Sequence, residues 1–244
     1  QRQMCIRDRY METEKRLAEI WSMPYINKLP GIVKERGYWY AKNENKDILI
    51  TGFNPSFRDG DAMKVSSMHV KDLLYGEKYD NYWGPVRKML YNGETDLRGI
   101  TGYLDIFYFR EREQKFLKNE ILSSEGGMQF VIDQLNLTQH IIEETIRPKL
   151  MIVKNKEAQA YFGKLNGMVW MGYEFEKIAD TQYGELCRIK GLMDSDERIA
   201  PELKSTNIKG TYTLFTTHIN QYTSVDKRPT PDFLKQILDG LYEK

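Results

Sequence analysis

Apolar and polar positions along this chain recur with two periods. Ile48-Leu49-Ile50 is an unbroken apolar run, the pattern of a strand buried on both faces of a parallel sheet. Residues 102–109, 149–153 and 211–217 read as three more strands. Between them lie helical patterns. Leu17, Ile20 and Trp21 share a face in 12–23, and Trp83, Val86 and Leu90 share one in 80–90. The longest helix is predicted at 127–146, where Phe130, Ile132, Leu135, Ile142 and Ile146 form a stripe and Pro148 stops it. A short helix follows at 157–162, and a terminal one at 232–242 turns Phe233, Ile237 and Leu241 inward. Residues 37–42 and the strand from Asp47 are expected to form a hairpin around the turn at 43–46. Residues 172–179 and 185–191 are expected to form another. The stretches 58–79 and 194–210 are polar and without periodicity, so both read as loops. Arg110-Glu111-Arg112-Glu113 reads as a solvated helix start.

Composition narrows the classes. Apolar residues make up 41% of the 244, enough for a core. No apolar run is long enough to cross a membrane, and a cytoplasmic monomer is the expectation. Lys and Arg number 36 against 35 Asp and Glu, a net charge of +1. Nucleic-acid binders carry a basic footprint, so overall charge does not favour nucleic acid and leaves room only for a local patch. Residues 3–9 resemble the translation of a sequencing adapter. Residues 1–10 are therefore set aside as an artefact, with Met11 as the expected start and 11–244 as a single domain. Without Cys5, Cys187 stands alone, which leaves neither a disulfide framework nor a cysteine-rich metal site.

The stretch with most chemistry follows the first buried strand. In Gly52-Phe53-Asn54-Pro55-Ser56 a strand opens into a tight polar loop, where open α/β sheets place their ligands. Gly52 admits close approach to the backbone and Pro55 stiffens the turn that carries Asn54. An ordinary strand exit has the same spacing. The five residues, however, resemble the first active-site motif of the uracil-DNA glycosylase superfamily, in the G-x-N-P form of its mismatch-specific and single-strand-selective branches. Asn81-Tyr82-Trp83 matches the helix that follows that motif. Asp105 falls where the second strand carries a residue that reads the base edge, a place where Asn is common. Residues 149–162 are similar to the family's third strand and following helix, with Lys154-Asn155-Lys156 in place of small residues. His218, after the last strand, matches the His of the second motif. Ile219 and Asn220 depart from it, and Tyr222 stands where the family places an apolar wedge.

The resemblance implies a three-layer α/β/α sandwich with a mainly parallel central sheet of about four strands. It implies hydrolysis of the N-glycosidic bond of uracil or another damaged or mispaired base in single- or double-stranded DNA, with no cofactor and no metal. Asn54 would orient water, since an amide lacks useful basicity. His218 would donate to the base carbonyl where charge develops. Gly52, Phe53, Pro55, Ser56, Phe57 and Asp105 would hold the base, with Phe53 or Phe57 as a stacking floor. Asn81, Tyr222, Lys227 and Arg228 would engage DNA, Tyr222 filling the stack vacated by the flipped base. An ionised Asp105 only accepts hydrogen bonds, which fits a base bearing an amino group, or an Asp kept protonated. Tyr38, Trp39 and Tyr40 are further stacking candidates, although such runs commonly pack as half core and half edge. His69 and His140 read as surface or packing residues. Two other classes stay open: a non-catalytic nucleotide or nucleic-acid binder, and a hydrolase of free nucleosides or nucleotides.

Overall fold

The computed structural model describes residues 6–58, 60–61, 66–78, 80–164 and 167–242, with only the backbone at 6–9. Cys5, Asp59 and Tyr79, which fall in stretches read above, lie outside the described residues. Eight strands are described: β1 (Trp39–Lys42), β2 (Ile48–Gly52), β3 (Ser66–His69), β4 (Thr101–Asp105), β5 (Leu150–Val153), β6 (Tyr173–Thr181), β7 (Gly184–Leu192) and β8 (Tyr212–Phe215). Seven α-helices accompany them: α1 (Ile6–Ser22), α2 (Gly31–Arg36), α3 (Val70–Tyr75), α4 (Trp83–Leu90), α5 (Gly127–His140), α6 (Lys156–Phe162) and α7 (Pro231–Leu238). No described helix is long and apolar enough to cross a membrane.

Six strands form one mixed sheet in the order β4-β2-β5-β8-β7-β6. The first four are parallel, β7 is added antiparallel to β8, and β6 pairs antiparallel with β7. The sheet therefore has six strands where about four were expected. The parallel four are those read from apolar runs, and the extra pair is the hairpin at 172–191. Residues of β2, β4, β5 and β8 are buried throughout, as a sheet covered on both sides requires. Alternation splits them between two cores. Ile48, Ile50, Leu150, Ile152 and Leu214 pack with Leu74 of α3, Val86 of α4 and Ile237 of α7. Leu49, Met151, Val153 and Phe215 pack with Leu17 of α1, Phe130 of α5 and Phe162 of α6.

The chain leaves β2 for β4 on one side and returns to β5 on the other. The loops after β2 and β5 thus diverge at a topological switch point, the crevice where such sheets bind ligands.

Several local expectations are corrected. β1 does not pair with β2; it pairs in parallel with β3, Trp39 opposite Ser66, in a separate two-stranded sheet. β2 has no free edge, since β4 and β5 pair with it on either side, and the outer edge of β4 is met by the buried Asn43. Its amide donates to the Tyr103 carbonyl (2.7 Å) and accepts from the Tyr103 N–H (3.2 Å), occupying the edge of β4 as a strand would. The stretch 58–79 holds β3 and α3, and α3 buries Val70, Leu73 and Leu74 at helical spacing. Residues 110–113 are not a helix, and Arg110 is buried. Beyond α5, residues Ile141–Ile146 continue as π-helical turns, and Arg147 ends them with φ 52°. α7 stops at Leu238, so its inward face is Pro231, Leu234 and Ile237, while Leu241 is exposed.

Candidate functional site

The polar loop after β2 is held like a continued strand. Gly52 O accepts from Ile106 N (3.2 Å), Phe53 O from Phe107 N (3.0 Å) and Pro55 O from Glu111 N (2.9 Å). The Phe53 ring is committed to the core, edge-on to Phe107 at 5.3 Å and to Tyr161 at 5.9 Å. With the backbone fixed on both sides, Asn54 has little freedom. Its Nδ2 donates to Glu111 O (2.6 Å) and Pro55 O (3.1 Å), so its Oδ1 is the atom left to accept a hydrogen bond from water or ligand.

Gly52 is required for a spatial reason. A Cβ there would overlap the Asp105 carboxylate and the Tyr103 hydroxyl, which lie directly against its backbone. Those two groups begin a buried hydroxyl chain. Tyr103 Oη donates to Asp105 Oδ1 (2.7 Å), and Tyr82 Oη lies 2.6 Å from Tyr103 Oη. Burial pushes the Asp105 carboxyl above the usual carboxylate range, against the Tyr103 bond and the Lys154 charge. Asp105, Asn54, Pro55, Ser56 and Arg110 border a cavity of about 480 Å³, with Trp39 and Trp83 as aromatic walls. That volume is in the range of small-molecule pockets.

A second cavity, of about 170 Å³, adjoins the first across Tyr82, and Asn54, Ser56 and Tyr82 line both. Gly52, Phe53, Lys154 and His218 line the smaller one, so the structure brings Asn54 and His218 together there. Asp105 is on the other side. Tyr82 is set in place because Asp80 Oδ1 accepts from the Tyr82 and Trp83 N–H groups, both at 2.8 Å, and so opens α4.

Lys154 is a site residue that sequence reading missed. It follows β5 directly, and Asn155 caps α6 by accepting from Glu157 N at 2.8 Å, so its backbone is pinned at both ends. The side chain is 1% exposed, and Nζ lies 3.6 Å from the centroid of the Tyr82 ring. A desolvated cation–π contact is worth about 2 kcal/mol. Burying an ammonium costs several kcal/mol, so the ring alone does not balance it. Burial accordingly lowers the Lys154 pKa, while the Asp105 charge works the other way. His218 is exposed at its outer side. Its pKa falls through partial desolvation and the Lys154 charge, offset by a contact with the Lys154 backbone carbonyl.

The remaining candidates lie outside these cavities. Phe57 is stacked between the guanidinium groups of Arg36 (4.6 Å) and Arg110 (4.8 Å). Asn81 is exposed and borders an outer depression with Ser56, Phe57, Arg58 and Arg112. Tyr222, 84% exposed, stands in an internally hydrogen-bonded loop. Within that loop Tyr222 N donates to Asn220 Oδ1 (2.8 Å) and Thr223 Oγ1 to His218 O (2.8 Å). Arg228 Nε donates to Thr223 O (2.8 Å) and Nη2 to Gln221 O (3.1 Å), so this guanidinium binds the loop. Lys227 is exposed. His69 is exposed, and His140 is half-buried, 3.9 Å from Glu12. Among the described residues no cluster of His, Cys, Asp or Glu could hold a metal ion. No family model, curated protein or solved structure matches the chain.

Proposed function

We propose that the protein hydrolyses the N-glycosidic bond of uracil or another damaged base in DNA, on a three-layer α/β/α fold of the uracil-DNA glycosylase type. The observation that carries this reading is the convergence of Asn54 and His218 on one cavity beside a topological switch point. Cleaving a base from deoxyribose leaves an anionic base and a cation-like sugar, so a catalyst must place water and stabilise the anion. Asn54 Oδ1 accepts a hydrogen bond from the water and orients it, with its amide held at Nδ2. The cavity around His218 receives the charge. The loop bearing Tyr222 fills the gap left by a flipped base.

A second reading, hydrolysis of a free nucleoside, is favoured by the engagement of Arg228 with loop carbonyls and by the net charge of +1. Both readings are tested with labelled oligonucleotides carrying different bases, cleaved with alkali after incubation, beside release of base from free nucleosides. Asn54→Ala and His218→Ala are expected to fold and to excise at rates lower by about a hundred-fold or more. Variants that excise as well as the parent would remove both residues from the chemistry.

A further inference from the structure

Lys154 is a buried cation that the Asp105 charge favours through space but that no described side chain ion-pairs or hydrogen-bonds. Arg198, 5% exposed, donates to the carbonyls of Met171 and Leu203. Arg110, 7% exposed, reaches Asp61 at 3.5 Å. Lys154 is more buried than either, and among the described residues no hydrogen bond or ion pair reaches its Nζ. It has the face of Tyr82 on one side and, with Asn54 and His218, it lines the 170 Å³ cavity. A buried ammonium with no anion in contact is costly, and the Asp105 carboxyl, itself pushed up by burial, offsets only part of that cost. The cavity that Lys154 borders is where a further negative charge fits.

We propose that Lys154 takes up the negative charge of the departing base, and that the site therefore favours bases that leave as anions. This rests on the glycosidic-cleavage reading above. In the step, the C1′–N bond breaks with its electron pair going to the base and delocalising onto a carbonyl oxygen. The oxygen of water bonds to C1′, and its proton passes to solvent or to the released base. His218 is poorly equipped to stabilise that oxygen alone. A neutral imidazole has one N–H. The ammonium has three N–H groups, and Tyr82 restrains its position. A base alkylated so that it leaves neutral gains nothing from the ammonium charge.

The test compares parent, Lys154→Met and Lys154→Gln in single-turnover excision of uracil and of 5-fluorouracil, a stronger acid and easier anionic leaving group, from the same oligonucleotide. Thermal unfolding is measured alongside. Both variants are expected to melt within a few degrees of the parent, because a desolvated ammonium has left the interior while the buried Asp105 that loses its attraction can take up a proton instead. Excision of uracil should fall by about a hundred-fold, with a deficit several-fold smaller for 5-fluorouracil. Equal deficits for the two bases, or none, would overturn the assignment. So would a fall in melting temperature that accounts for the lost rate, since that marks a structural lysine. A parent that excises neither base overturns the glycosidic reading and this inference with it. An active parent with unimpaired variants overturns the inference alone.

Discussion

His218 and Lys154 share one small cavity, and two cations so placed raise the cost of charging each other. Desolvation is the larger cause of the lowered His218 pKa and the Lys154 charge the second. The sign follows. His218 should titrate below the ordinary imidazole range, and Lys154→Met should move it upward but leave it depressed, because burial remains. Folding holds the proton off this ring, so the native state loses stability as pH falls through the ordinary imidazole value, and the variant should lose less. With only 3 histidines in the chain, the imidazole C–H resonances resolve this by NMR titration. An unmoved His218 would mean that the two charges do not sense each other. At this scale the sequence was readable where a side chain ends a buried strand, as with Asn54, Asp105 and His218. Lys154 ends one in the same way after Leu150–Val153. It was passed over because a lysine reads as solvated, and only the ring of Tyr82, far off in sequence, shows otherwise. The position of Gly52 beneath the Tyr103–Asp105 pair was equally unreadable, because that contact lies across strands.

Elements whose cause is local were legible, and those settled by a distant partner were not. The four parallel strands were read from apolar runs, and the 172–191 hairpin was expected as a local pair of strands. The pairing of β1 was misread because β4 and β5, distant in sequence, take both edges of β2, while Asn43 covers the edge of β4 and β1 pairs with β3. The loop at 218–224 is the element where function and stability are hardest to separate. Arg228 was expected at a phosphate, yet its donors go to Thr223 O and Gln221 O. Arg228→Ala should therefore loosen the loop. Amide hydrogen exchange at 220–224 is expected to accelerate by about ten-fold, as two charge-assisted hydrogen bonds are lost. Action on duplex should fall more than action on single strands, since a loose loop cannot hold Tyr222 in an opened stack. Unchanged exchange with weaker binding would return Arg228 to the phosphate role.

At the scale of the whole molecule, β2 lies between β4 and β5, and that order gathers the loops of three parallel strands and α4 around Asn54. Strand order is a property of the assembled sheet, so apolar periodicity could name the strands without arranging them. Net charge poses the last question, since +1 is little for a protein meeting a polyanion. The local supply is Arg58 and Arg112 at the outer depression and Lys227 beyond the Tyr222 loop, all exposed and free of ion pairs among the described residues. Three such cations neutralising phosphates on a duplex imply a slope of log affinity against log salt of about −3. Lys227→Ala should reduce that slope by about 1 while weakening all base sequences alike. Binding of a fluorescent duplex across a salt series measures both. A slope near zero, with base released from free nucleosides as fast as from DNA, would assign the same cavity to a small-molecule hydrolase, for which a groove of phosphates is not needed.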